Sequence, residues 1–353
     1  MQSSEYIFTA LIIVAILIGS AILTSIMPQS ALNVSEIEQL KMVAQKIMTQ
    51  ITLNPGDPPE WGSNITIDSN DLRAFGLAKH GWLTRAAYDL DPDKVQRLSS
   101  EIPSSLYIPP SRVIELLSLD HDYGIKLEFI PALNASISAQ WISGEISISI
   151  SIISEQSIPI ADANVTARVF YLQDGQINKT SLAANSTGID GSCSIKFSNV
   201  NSNAALIVLL VDYHGICVVK TYLLGSPLES YFIGNHFILN DSINPANNVA
   251  YQVMVLKSYE NYTIDYVSCS LAPSSNGISN YNVYDLAFVE PYAVALLAVT
   301  DGGDLTVACK HVPSSYSSIS GDVFSPLSYM LERSVTIGQS LYTLRLQIWR
   351  MSW

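Results

Sequence analysis

Residues 145–154 read Glu-Ile-Ser-Ile-Ser-Ile-Ser-Ile-Ile-Ser, and this run decides the class of fold. Ile146, Ile148, Ile150 and Ile152 alternate with Ser147, Ser149 and Ser151. Successive side chains on a strand point to opposite faces, so the pattern predicts a strand with one apolar face and one wet face. Outward from it, the period of two continues. Residues 205–211 form an apolar strand, His214-Gly215 a turn, and 216–223 a further strand. Asp190-Gly191 is a tight-turn pair, after which Cys193, Ile195 and Phe197 share one strand face.

Towards the C-terminus the same reading gives strands at 249–257, 262–269, 281–288, 292–300 and 305–311. The last hairpin is 333–337, a turn at Gly338-Gln339-Ser340, and 341–349. There Tyr342, Leu344, Leu346 and Ile348 form the core face.

Towards the N-terminus the periodicity changes to 3.6. Ile37, Leu40, Ala44, Ile47, Met48 and Ile51 recur at helical spacing, and Asn54-Pro55-Gly56 stops the helix. Ser35 or Asn33 can cap it. Upstream of Pro28, residues 6–27 carry no charged side chain. As a helix this run spans about 33 Å, enough for a bilayer's hydrocarbon core. It is longer than a signal-peptide core and lacks a basic leader, so it reads as a retained anchor. Between helix and strands lie the turn-dense 53–62, a short buried strand at 75–78, helix starts at Asp91-Pro92 and Pro110, and a strand from Tyr123 to Ile130 ending at Pro131.

The expected fold is therefore mostly β with an N-terminal helix. Four units are predicted: 1–51, a transmembrane and extended amphipathic helix; 52–133, a membrane-proximal α/β unit; 134–225, a β-sandwich; and 226–353, an antiparallel β domain.

The chain has 353 residues, a formal net charge of −13 and only 14% charged residues. With no basic stripe, nucleic acid is excluded as an expected partner. Eight Asn-x-Ser/Thr sequons start at Asn33, Asn64, Asn134, Asn164, Asn178, Asn185, Asn240 and Asn261, the glycosylation candidates of an exported body. Cys193, Cys217, Cys269 and Cys309 form no Cys-x-x-Cys pair, which disfavours zinc. They are either two disulfides or four buried thiols. For disulfides the preferred pairs are Cys193–Cys217 and Cys269–Cys309, each within one unit.

No catalytic motif stands out, and no enzyme activity, metal or cofactor is expected. Asp120-His121-Asp122 has ligand residue types, but neighbours on a strand point apart. Asp89, Asp91 and Asp93 lack the glycine and distal glutamate of a calcium loop, so a helix cap explains them better. Asp301-Gly302-Gly303-Asp304 reads as a hairpin turn. Trp61, Trp82 and Trp141 read as core residues rather than sugar platforms.

Gln2, Ser4, Glu5 and Tyr6, the apolar run, Pro28 and the amphipathic continuation resemble the N-termini of type IV pilin-like proteins, archaeal ones in particular. That resemblance implies that Glu5 pairs with the N-terminus of the next subunit, and that like subunits associate through the N-terminal helix. The segments LNPGDPPEWG (53–62), FGLA (75–78) and LDPDKVQRLS (90–99) look like membrane-anchored archaeal surface proteins of unassigned role. The order Pro159…Ala163…Val165, then Thr187…Asp190-Gly191…Phe197, resembles the immunoglobulin-like sandwich of carboxypeptidase-regulatory and adhesin modules. Together these imply a single-pass protein with its C-terminal body outside the cell. It would be a filament or pilus-associated subunit, or alternatively a tethered adhesin whose sandwich binds a glycan or protein.

Overall fold

The computed structural model describes residues 35–81, 87–119, 122–142, 144–200, 202–225, 228–258, 261–318 and 327–351, with Val14 and Leu17. The predicted span at 6–27, Glu5, Asn33, Trp82, Asp120 and His121 lie outside the described residues, Val14 and Leu17 of the span excepted. Among the described residues no helix is long and apolar enough to cross a membrane.

Helix α1 (35–53) follows the predicted stripe. Leu40, Ala44, Ile47, Met48 and Ile51 are buried, whereas Ile37 is 41% exposed. The first turn thus projects beyond the core, and burial begins only at Leu40. The stripe packs on a five-stranded sheet in the order β1 (Asp89–Leu90), β19 (Ser328–Ile337), β20 (Ser340–Arg350), β2 (Tyr123–Pro131) and β18 (Ser315–Ser317). Leu344, Leu346 and Ile348 lie in this core, as the alternation in the last strand requires. Two short helices complete the base. Helix α2 (Pro92–Gln96) has Pro92 at its start and Asp91 as N-cap. Helix α3 (Pro110–Leu116) also opens on its proline.

This base corrects the expected boundaries. The hairpin β19–β20 pairs with β2 and not with the strands before it in sequence. The first and last parts of the chain therefore form one unit, and a boundary at residue 51 would cut through its core. The predicted strand at 75–78 is also corrected. Phe75, Leu77 and Ala78 are buried, but the segment makes only isolated bridges at its ends, Asp57 with Ala74 and Ala78 with Leu90.

The middle of the chain forms two antiparallel sheets packed face to face. One sheet has the order β3 (Leu133–Ile142), β4 (Glu145–Ser154) and β8 (Ser192–Ser198). The other runs β10 (Ile216–Gly225), β9 (Ala204–Tyr213), β5 (Asn164–Gln173) and β6 (Gln176–Lys179), with β7 (Ala183–Ser186) also on β5. Ile146, Ile148, Ile150 and Ile152 meet Val165, Ala167, Val169, Ile207 and Leu209 between the sheets. The β9–β10 turn places His214 and Gly215 both at positive φ, the geometry a two-residue hairpin needs.

The third body, expected as an antiparallel β domain, is a closed barrel whose pairings are antiparallel apart from the closing one. Its order is β11 (Leu228–Ile233), β12 (His236–Asn240), β15 (Tyr281–Leu286), β14 (Asn261–Pro273), β13 (Pro245–Ser258), β16 (Ala293–Thr300) and β17 (Leu305–Cys309). Closure is made by a parallel pairing of β11 with β17. Phe232, Phe237, Leu239, Leu271 and Leu296 fill its interior. Its outer wall meets the sandwich through Val253, Val255, Leu297 and Val307 against Phe170, Leu206, Val208 and Leu210. Ile233 and Ile238 meet the base at Ile65, Ile102 and Leu106.

Candidate functional site

The three segments that carry the surface-protein resemblance converge on Trp61. Its indole Nε1 donates to the carbonyls of Pro55 (3.2 Å) and Gly76 (3.3 Å), and the ring is fully buried. Lys94, on α2, is buried beside it and donates to the carbonyls of Pro55 (2.7 Å) and Ala78 (2.9 Å). Arg97, one turn on, donates to the carbonyls of Leu106 (2.7 Å) and Ile67 (2.6 Å), and also to that of Trp61. A loop without strands leaves carbonyls unpaired, and these two cations satisfy them. Burial pushes Lys94 down to about 8 and Arg97 down to about 10. The cluster is a structural cage that shapes the loop under α1. It was not legible as such, because the donors lie 30 or more residues from several of their acceptors.

The aspartates near α2 are accounted for locally. Asp91 Oδ1 accepts from the Asp93 backbone at 2.9 Å, and Asp93 Oδ1 pairs with Lys310 Nζ at 2.6 Å. That ion pair joins base to barrel. Asp301–Asp304 is a turn closed by Gly303 N to Thr300 O and Thr300 N to Asp304 O. Among the described residues no three or more His, Cys, Asp or Glu side chains converge as metal ligands.

All four cysteines are free, so the preferred pairs Cys193–Cys217 and Cys269–Cys309 are not formed. The reason is geometric. Cys193 packs into the sandwich core, while Cys217 is on the barrel side of the opposite sheet. Cys269 points into the barrel, while Cys309 points out of it.

The described sequon asparagines are spread over base, sandwich and barrel. Asn134, Asn164, Asn185 and Asn240 are exposed, and Asn64 and Asn178 are half-buried. Asn261 lies on β14. Asn64 Oδ1 accepts from Thr66 N (3.0 Å) and Thr66 Oγ1 (2.8 Å), and Asn240 Oδ1 accepts from Ser242 in the same way. Asn164 and Asn185 line a polar cleft of about 440 Å3 with Thr166, Ser186, Asp212 and Tyr262. Tyr262 Oη lies 2.7 Å from Cys217 Sγ. Burial, the Cys217 contact and the Asp212 charge hold its phenol well above the ordinary value. Trp61 is core as expected. Trp141 is half-buried, with its Nε1 unpartnered and out of solvent.

No family model matches this chain, and no curated protein does. Among solved structures, a red sea bream transglutaminase is similar at 13% identity and TM-score 0.18, over 51% of this chain and 31% of that one. The present chain thus spans about a third of the enzyme's length. A DUF4466 family protein from Parabacteroides merdae matches at 9% identity and TM-score 0.18, over 63% of this chain and all of that one. A human GIVD cytosolic phospholipase A2 has TM-score 0.11. Likenesses this slight carry no functional conclusion.

Proposed function

We propose that this chain is a non-enzymatic, membrane-tethered cell-surface protein that assembles in a pilin-like manner through its N-terminal helix. One observation supports this most. Helix α1 has its C-terminal part buried on the base sheet, its first turn lies outside that core and meets the sheet's end only through the Glu36–Arg350 ion pair (3.6 Å), and an uncharged apolar run lies upstream. Val14 and Leu17 within that run are helical and 53% and 61% exposed. An uncharged apolar run of this length calls for lipid or like helices as neighbours. In this reading Glu5 pairs with the next subunit's N-terminus, because a lone carboxylate in hydrocarbon is costly.

The test is fractionation of native cells and imaging of the detergent extract. Membrane retention with a ladder of assemblies is expected. Glu5→Gln is expected to abolish the ladder while leaving membrane retention intact. Recovery of the full-length protein in the aqueous fraction would refute the tether.

The alternative, a tethered adhesin, is favoured by the polar cleft beside Tyr262, which combines hydroxyls, amides, a carboxylate and an aromatic ring. Glycan-array binding by a chain starting at residue 35 tests it. The cut must fall there, since removing 1–51 strips Leu40, Ala44, Ile47, Met48 and Ile51 from the core.

A further inference from the structure

We infer that Lys310 and Asp93 condense into an intramolecular amide, a covalent strap between barrel and base. Lys310 Nζ lies 2.6 Å from Asp93 Oδ1, between residues 217 positions apart in the chain. Among the described lysine–carboxylate pairs this one is distinctive. Its side chains are 17% and 12% exposed, whereas Lys126–Glu128, Lys179–Asp265 and Lys196–Glu145 all have both partners at 26% or more. The ammonium sits 4.4 Å from the centre of the Phe232 ring, which is fully buried in the barrel's end.

Both reacting groups are anchored. The Lys310 backbone donates to Val294 O at 3.1 Å, and the Asp93 backbone donates to Asp91 Oδ1 at 2.9 Å. A second carboxyl, Asp91, accepts from the Asp93 backbone N–H at 2.9 Å. Burial, then the Asp93 charge, pushes it above the ordinary carboxylate range against the opposing charges of Lys94 and Lys310. Asp91 is the group assigned to carry protons between the leaving oxygen and the new amide nitrogen.

The chemistry needs no outside reagent. A proton passes from the Lys310 ammonium to the Asp93 carboxylate, leaving a neutral amine and an acid. The amine lone pair attacks Asp93 Cγ, forming a C–N bond and a tetrahedral centre. The Cγ–O bond then breaks, and the hydroxyl leaves as water with a proton from Asp91. Asp91 regains a proton from the new amide nitrogen. The net change is ammonium plus carboxylate to amide plus one water. Fixed juxtaposition raises the effective concentration of one group at the other, to about 10⁵–10⁸ M where the reacting atoms are aligned, and so speeds an otherwise very slow condensation. The Phe232 ring beside the ammonium favours it further, because a partly buried ion pair is replaced by a neutral amide.

The experiment is intact-mass measurement of the purified full chain, followed by tandem mass spectrometry of its digest. The expected result is a mass lower by one water and a branched peptide joining Asp93 to Lys310. Asp91→Asn and Lys310→Arg are each expected to restore the full mass. A wild-type chain at full mass with separate Asp93 and Lys310 peptides overturns the proposal, and so does a water loss mapped elsewhere. A linked Asp91→Asn chain overturns the relay.

Discussion

At the scale of single residues, the cage under α1 shows how a loop with few ladder bonds is held. Hydrogen bonds to a charged donor contribute about 1.5–3 kcal/mol each. Arg97→Ala strips donors from the carbonyls of Trp61, Ile67 and Leu106. A loss of about 3 kcal/mol or more in chemical denaturation is expected. Lys94 gives a pH signature. Its folded value of about 8 lies below the ordinary 10.5, so the unfolded chain binds more protons between those values. Stability therefore rises with pH across that window, and the cost of burying the charge is complete below it. A neutral amine still donates to Pro55 and Ala78. Thermal midpoints of wild type and Lys94→Met are expected to diverge in favour of wild type from pH 8 upward. A constant gap would show that Lys94 does not titrate there.

At the scale of elements, β9 is the least ordinary strand. Ala204 to Val211 are all 5% exposed or less, because one face meets the sandwich core and the other meets the barrel wall. A strand covered on both faces reads as a continuous apolar run rather than an alternation, and ALIVLLV does so. On a half-buried strand one of two neighbouring truncations is mild. Here Leu206→Ala faces the barrel and Ile207→Ala faces the sandwich core, and both are expected to cost about 2–5 kcal/mol in urea titrations. Helix α1 gives the opposite contrast, with Met48 buried and Met42 63% exposed. Most strands were legible because their patterns are local: the alternation at 145–154, the Asp190-Gly191 and His214-Gly215 turns, and the closing hairpin. Strands β11 and β12 were not, since Tyr231-Phe232-Ile233 and Phe237-Ile238-Leu239 are short apolar runs without alternation.

At the scale of the whole molecule, charged contacts fix the three bodies to one another. Arg345 on the base sheet donates to Glu332 (2.7 Å), Glu128 (3.2 Å) and Glu155 of the sandwich (3.2 Å). Burial alone would raise Glu128, but hydrogen bonds and charge from Lys126 and Arg345 outweigh it and lower the carboxyl below 4.5. A depressed carboxyl stabilises fully above its unfolded value and loses that contribution as pH falls through the folded one. The stability gap between wild type and Arg345→Met is expected to shrink between about pH 5 and pH 3, read by thermal melts. Sequence alone determined the local features: helix and strand periods, helix starts at Asp91-Pro92 and Pro110, tight turns, and an uncharged apolar run ahead of an amphipathic helix. Those follow from side-chain direction and backbone sterics within a few residues. Only the tertiary structure decided that the last hairpin returns to the first helix, that β11 closes the barrel on β17, that the cysteines stay apart, and that Lys310 reaches Asp93. Each of these depends on how segments remote in the chain pack together, and no neighbouring residue encodes the partner.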